Sequence, residues 1–292
     1  MTIAATCAPP LTASGKPRMT LPQNACDCHF HIFDEPSQQV PERSYTAPTA
    51  SQADYDALMN TLGFTRSVIV QPSIYGDDNQ TTMLACQGQS NRKAIVVIDE
   101  SISRKELQAL HEQGAVGCRI NWLFQSGINI NNLQGLAGKI AEFGWHIQVL
   151  ADISQIESLE DFISDVPVPI IFDHMGHMPT HKTVHNPHFK HFCRLLSEGR
   201  IWAKLSGAYR ISSRINGLYE DAQATAEALL KANPDHLVWG TDWPHPQTAP
   251  MPDDTQLLNS FLEWIPASLH QKIFSDNPAR LYQFENQQEG HL

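Results

Sequence analysis

A chain of 292 residues with 41% hydrophobic content can bury one large core, and a single domain is the expectation at that length. Against 20 Lys and Arg stand 31 Asp and Glu. The net charge of −11 disfavours nucleic acid or an anionic membrane surface as a partner, so any bound anion must be held by cations placed close to it. No apolar run reaches the roughly 18 residues that span a bilayer, and the N-terminus lacks the apolar core of about 7–15 residues that marks a signal peptide, which predicts a cytoplasmic protein.

Residues 1–22 carry Pro9, Pro10, Pro17 and Pro22 among small polar residues, with Lys16 and Arg18 and no apolar periodicity. They predict a flexible leader outside a folded domain of residues 23–292. From residue 24 onward, short β-branched or apolar runs alternate with longer amphipathic stretches. The runs predict eight strands, at 25–33, 67–73, 94–99, 116–122, 145–151, 168–174, 201–206 and 236–241. The stretches predict helices at 52–62, 80–90, 103–113, 131–143, 154–164, 187–197 and 215–232, with 253–265 and 269–284 closing the chain. Ser103 and Ser154 stand where N-caps belong. Eight βα repeats without a long break predict a (β/α)8 TIM barrel of the α/β class; no G-x-G-x-x-G follows the first strand to support an open dinucleotide-binding sheet. Six cysteines are scattered, and Cys26 and Cys28, one residue apart, do not form a C-x-x-C pair, so all six read as small reduced hydrophobes.

In such a barrel the chemistry sits at the C-terminal ends of the strands. The first run ends Asp27-Cys28-His29-Phe30-His31. Strand alternation puts His29 and His31 on one face, which at a barrel mouth is the interior; there they could bind a metal, polarise a carbonyl or form a hydrogen-bonded core pair. The sixth run ends Asp173-His174-Met175-Gly176, and the eighth Gly240-Thr241-Asp242-Trp243-Pro244-His245-Pro246. A buried carboxylate without a partner is costly, so Asp242 calls for a catalytic task or a partner, with capping of the next turn as the structural alternative. His245 could simply belong to a rigid Pro-His-Pro loop.

These segments resemble the amidohydrolase superfamily and, within it, a lactonase branch of the pyrone dicarboxylate type. The likeness extends over nearly the whole chain after residue 24. It includes Gly63-Phe64 before Val68-Ile69-Val70-Gln71, Gly76-Asp77-Asp78-Asn79, Gly117-Cys118-Arg119-Ile120-Asn121 and Asp276-Asn277-Pro278-Ala279-Arg280-Leu281-Tyr282. The resemblance implies a hydrolase that opens the lactone ring of a small carboxylate-bearing molecule with water. Asp242 matches its general base, and His29, His31 and His174 match residues around the carbonyl. Ser73, Arg119, Arg210 and Tyr45 match its substrate-binding positions. Residues 123–130, where the pyrone enzymes carry a further Arg, contain no basic residue, so muconolactone-like and sugar-acid lactones stand beside the pyrone as expected substrates.

Ester hydrolysis needs an activated water, donors for the tetrahedral oxyanion and a held substrate. An ionised Asp242 can take the proton, and histidines can donate to the carbonyl oxygen. No G-x-S-x-G elbow surrounds Ser73, which therefore reads as a substrate hydrogen-bonding group. Arg119, close to a strand end, is better placed for a carboxylate than for solvent, while Arg214 could take over from Arg210. His29, His31 and Asp242 could together hold one divalent cation, Zn or Mn. The resemblance implies that none is required, and residues 116–122 lack the lysine of a binuclear site. Two further readings stay open here: a lactone isomerase or decarboxylase on the same barrel, and a non-catalytic protein that binds a small acid.

Overall fold

The structure, a computed structural model, describes residues 4–124, 133–214 and 218–285. Eight parallel strands neighbour one another in chain order: β1 (Cys26–Phe30), β2 (Arg66–Val70), β3 (Arg92–Val96), β4 (Ala115–Asn121), β5 (His146–Leu150), β6 (Ile170–Phe172), β7 (Trp202–Leu205) and β8 (Leu237–Trp239). The seam between β8 and β1 closes just beyond β8. There the Asp242 N–H donates to the His29 carbonyl and the His31 N–H to the Trp243 carbonyl, both at 2.8 Å. The predicted TIM barrel is thus formed. Most strands are shorter than their apolar runs, because the last residues of each run leave the ladder and build the mouth.

Helices α1 (Gln52–Leu62), α2 (Gln80–Leu84), α3 (Arg104–Glu112), α4 (Leu133–Ala141), α5 (Leu159–Ile163) and α6 (Pro187–Ser197) alternate with the strands. The short α7 (Ala208–Ile211) follows β7, and α8 (Gln223–Ala232), α9 (Asp254–Trp264) and α10 (Asn277–Leu281) complete the layer. Local chemistry sets the clearest boundaries. Ser51 with Asp54 and Ser103 with Glu106 form capping boxes at α1 and α3, and α1 stops at the left-handed Gly63. Helix α6 starts with Asn186 as cap and Pro187 in its first turn, then buries Phe189, Phe192, Leu195 and Leu196 along one stripe.

Four expected helices are interrupted. Helix α2 ends at Leu84, and the chain turns through Gly88 at φ +74°. Ser154 is not an N-cap: Asp152 accepts its N–H and starts a 3-10 turn, and α5 begins only after Ser158. Helix α8 starts at Gln223, since Tyr219 takes φ +56°, and residues 215–217 of the expected helix lie outside the described residues. The stretch 269–284 holds a π turn at Lys272–Asp276 before α10, where Pro278 has no N–H to continue an α-helical ladder.

Two apolar clusters result. One lies inside the ring, with Cys26, Cys28, Val68, Val70, Ile95, Val116, Ile171 and Val238 closed off by Tyr282 and Phe284. The other lies between strands and helices and holds Phe30, Tyr55, Ile69, Phe172, Leu205 and Phe261 among others. The six cysteines are free. Residues 4–22 form no helix, as their composition suggests, yet they are tied to the barrel. The Cys7 N–H donates to the Thr46 carbonyl, Ser14 binds Asp253, Arg18 pairs with Glu263 and Leu21 is buried. Among the described residues no helix is long and apolar enough to cross a membrane.

Gly240, at the end of β8, leaves room for β1: a Cβ there would lie 2.6 Å from the His29 amide nitrogen and 2.7 Å from its Cβ. Gly240→Ala must push the two strands apart at the seam. We expect it to lower unfolding free energy by about 2 kcal/mol or more, read by chemical denaturation. An unchanged midpoint would show that the seam yields without cost.

Candidate active site

The site begins with an irregularity in β1. Cys26 pairs with Arg66 and Asp27 with Ser67, but Phe30 pairs with Ile69, so three steps along β1 match two along β2. The extra residue is a β-bulge. Strict alternation from the inward Cys26 and Cys28 would turn His29 toward the helix layer. The bulge sends it inward instead, onto Lys204, Asp173 and Asp242, and His31 follows.

The opposite wall comes from the ends of β6, β7 and β8, where the backbone enters the left-handed region. His174, Met175, Asp242 and His245 have φ of 49°, 56°, 66° and 59°. Such conformations cost non-glycine residues about 1–3 kcal/mol each and persist where the surroundings enforce them. Gly207 has no side chain because the His174 ring occupies its space: a Cβ there would stand 2.7 Å from Nδ1.

Asp242 is fully buried at the centre. Its Oδ2 accepts the Tyr209 hydroxyl at 2.6 Å and the Arg210 Nε–H, and lies 3.6 Å from His174 Nε2. Its Oδ1 has no hydrogen-bond partner and faces the Nε2 atoms of His29 and His31 at 3.5 and 3.6 Å. Burial pushes its carboxyl upward, but the Arg210 guanidinium and the adjoining imidazoles overcome this and hold it well below the usual carboxylate range. Burial lowers all three imidazoles: His29 falls to about 3, helped by Lys204 and opposed by Asp173, and His31 and His174 shift the same way. Asp242 is therefore ionised and the histidines neutral at neutral pH.

All eight expected residues meet at the mouth. Tyr45 is hydrogen-bonded to Ser73 and feels the charges of Arg119 and Arg210. Arg119 Nη1 donates to the Gln71 carbonyl at 3.2 Å, Nη2 lies 3.5 Å from Asp173, and Nε–H is unpartnered. Arg210 turns its Nε–H to Asp242 and its Nη1 to the Pro246 carbonyl, contacts that its expected place beside the substrate did not foresee. The exposed Arg214 pairs with Glu220 and does not stand in for it.

Sequence reading missed the layer beneath. Asp173 lies 3.3 Å from His29 Nδ1 and accepts from Gln148 at 3.0 Å; its charge is favoured by Lys204, then His29 and Arg119, against its burial. Lys204, fully buried on β7, donates to the Cys28 carbonyl at 2.9 Å and to Gln148 at 2.7 Å, and stands 3.4 Å from Asp173. The signal was a lone lysine inside the apolar run Ile201 to Leu205. His177, with an unpartnered Nε2, adds a ring 6.0 Å from His174.

A single divalent cation fits the residues present. His29, His31 and Asp242 each offer a ligand atom within 4.8 Å of the others, and His29 Nε2 and Asp242 Oδ1 lack partners. His29, Asp173 and His174 form a second such group, but the Lys204 ammonium stands against its carboxylate and opposes a cation there.

The amidohydrolase family model matches residues 26–284. The chain belongs to the amidohydrolase family. Among amidohydrolase-type relatives, it is 36% identical to a 2-pyrone-4,6-dicarboxylate hydrolase of Comamonas testosteroni, over 91% of this chain and 92% of the relative. It is 33% identical to a 4-sulfomuconolactone hydrolase of Hydrogenophaga intermedia, over 91% and 90%. A D-galactarolactone isomerase of Agrobacterium fabrum is 29% identical over 91% and 93%. Its barrel superposes with a TM-score of 0.81, at 25% identity, on a probable 2-pyrone-4,6-dicarboxylic acid hydrolase of Acinetobacter baumannii with citric acid bound; 90% of this chain and all of that one are covered.

Within this amidohydrolase, Lys204→Met should expose the cost of leaving Asp173 without its nearest cation. Removing one member of a buried ion pair costs about 3–5 kcal/mol, and thermal and chemical unfolding should both show it. A variant as stable as the wild type would mean that Arg119 suffices.

Proposed function

We propose that this chain hydrolyses the ring ester of a small lactone that bears a carboxylate. The observation that carries the reading is Asp242 Oδ1, the unpartnered oxygen of an ionised carboxylate between two imidazole nitrogens. His31 Nδ1 lies 2.7 Å from the Val70 carbonyl, which can only accept. The neutral ring therefore keeps its proton on Nδ1 and turns a lone pair at Nε2 toward Oδ1. A water giving one hydrogen to Asp242 Oδ1 and the other to His31 Nε2 keeps a lone pair for the carbonyl carbon. Of the histidines that could donate to the carbonyl oxygen, His31 accepts from the water in this reading. His174 stays a donor, because the Ser206 hydroxyl, 3.0 Å from its Nδ1, can supply the proton on that side.

Asp242 takes the water proton as the oxygen adds, a contribution typically on the order of 10²–10⁴-fold. When the ring C–O bond breaks, the same proton passes to the departing oxygen and leaves a hydroxy acid. The Arg119 Nε–H points to the substrate carboxylate, with Ser73 and Tyr45 beside it, and Arg210 supports both the base and the anion. A guanidinium binds a carboxylate through short charge-assisted bonds that an overall acidic protein cannot supply at long range.

Support for hydrolysis comes from the 2-pyrone-4,6-dicarboxylate and 4-sulfomuconolactone hydrolases that the chain resembles along most of its length. The D-galactarolactone isomerase relative supports the second reading, isomerisation. A panel of carboxylated lactones followed with a pH indicator, and product analysis in heavy-oxygen water, separates the two. Hydrolysis releases a proton and places one heavy oxygen in the new carboxylate, and free acids should outpace their methyl esters. An unlabelled product, or equal kcat/KM for acid and ester, overturns the reading.

A divalent cation held by His29, His31 and Asp242 would polarise the lactone carbonyl. We propose that the reaction does not require one, since Arg210 and Arg119 already set two fixed positive charges around the reacting centre. Activity should survive exhaustive chelation. Its loss with chelator and return with Zn2+ or Mn2+ would refute this.

A further inference from the structure

Behind Asp242 runs a chain of buried groups that the proposed reaction leaves unused. Tyr209 donates to Asp242 Oδ2 at 2.6 Å; the Tyr209 oxygen lies 3.0 Å from His245 Nδ1; His245 Nε2 lies 3.0 Å from Asp254 Oδ1. His245 is fully buried and Asp254 is 1% exposed, in the first turn of α9. Each of the three contacts needs one proton between its heavy atoms. A neutral imidazole and a phenol supply only two. Those two lie in the first two contacts: the Asp242 carboxylate offers Tyr209 only lone pairs, so the hydroxyl donates to Oδ2 and its oxygen is left to accept from His245 Nδ1, with Asp254 against Nε2.

We propose that Asp254 and His245 are positioning residues for hydrolysis, acting through Tyr209 to saturate Asp242 Oδ2 and leave Oδ1 as the proton acceptor. The inference rests on Asp242 being the base. Two donors on one oxygen fix the carboxylate plane. Without the Tyr209 hydroxyl the carboxylate is held by Arg210 alone and can rotate, which costs the alignment of Oδ1 with His31 and the water but not the binding of substrate by Arg119. The left-handed backbone at Asp242 and His245 fits this role, since the His245 N–H donates to the Asp242 carbonyl at 2.9 Å and folds the two residues onto one another.

The conservative variant gives a readout that a merely structural role would not. In Asp254→Asn the amide can donate to His245 Nε2, His245 Nδ1–H to Tyr209, and Tyr209 to Asp242, so every contact in the chain keeps a proton. In Asp254→Ala the last link is gone. We expect Asp254→Ala, His245→Phe and Tyr209→Phe to lower kcat by about 10–100-fold, the usual effect of removing an outer-layer partner, with KM changed less than about twofold and Asp254→Asn restored to within about threefold of the wild type. Tyr209→Phe removes one hydroxyl and keeps the ring, so the test stands even if the alanine variant does not fold. Asp254→Asn as impaired as Asp254→Ala, or unchanged kcat in folded His245→Phe and Tyr209→Phe, overturns the proposal. Asp242→Asn in the same assay keeps the two failures apart. Wild-type turnover in that variant overturns Asp242 as the base, whereas its inactivity beside wild-type rates in the other variants overturns only the positioning chain.

Discussion

Everything at the mouth is laid out from the buried carboxylate of Asp27. Its Oδ1 accepts the N–H of His29 at 3.1 Å and that of Thr241 at 2.9 Å, and its Oδ2 accepts the hydroxyls of Thr241 at 2.6 Å and Tyr55 at 2.9 Å. Four donors meet the lone pairs of one ionised group. The His29 bond holds the bulge, the Thr241 bonds hold the end of β8, and the Tyr55 bond ties both to α1. Once those ends are pinned, the Asp242 N–H reaches the His29 carbonyl, and the histidine and the base are set facing each other. Replacing the carboxylate would leave several buried donors unsatisfied, at about 1–3 kcal/mol apiece.

Above that anchor the charges are arranged with an excess of one sign. Asp173 and Asp242 are carboxylates; Lys204, Arg119 and Arg210 are cations; the imidazoles are neutral. Asp27 beneath them brings this buried set to three carboxylates against three cations, inside a protein whose net charge is −11. The two guanidiniums, Arg119 and Arg210, lie on the upper side of this set, where an anionic substrate, or the oxyanion that develops from its carbonyl, meets them. The same guanidinium that keeps Asp242 ionised weakens it as a base. Alignment must then supply what basicity does not, and this makes the direction of Oδ1 matter more than its proton affinity.

Most of the fold was legible because it depends on patterns that repeat. Eight apolar runs separated by amphipathic stretches permit few arrangements, and the expected bounds 52–62 and 187–197 coincide with α1 and α6. His29, His31, His174 and Asp242 stood out as polar groups at the ends of buried runs, whereas Tyr45, on no strand, was reached only through the family resemblance. The bulge was not, since it is a property of register between β1 and β2 and leaves no mark in either strand alone. Nor was the pairing of Arg210 with Asp242, which sit 32 residues apart and meet only when β7 and β8 lie side by side. Lys204 was overlooked for the opposite reason, as a single polar residue in an otherwise ordinary strand.

The position of the seam has a consequence for how the molecule comes into being. Thr241 and Asp27 are separated by 214 residues, and Asp242 and His29 are joined across a gap of almost the same length. Seven strands can be laid down in order with near neighbours, but until the eighth arrives the bulge of β1 lacks the Thr241 and Asp242 side of its bonding. Docking of the last strand is the step that supplies it. Contacts of such sequence separation form late because the loop they close is long. The base and the seam bonds alike therefore come from residues beyond 240, the last of the barrel to be synthesised: the group that does the chemistry and the bonds that close the ring are delivered by the same short segment.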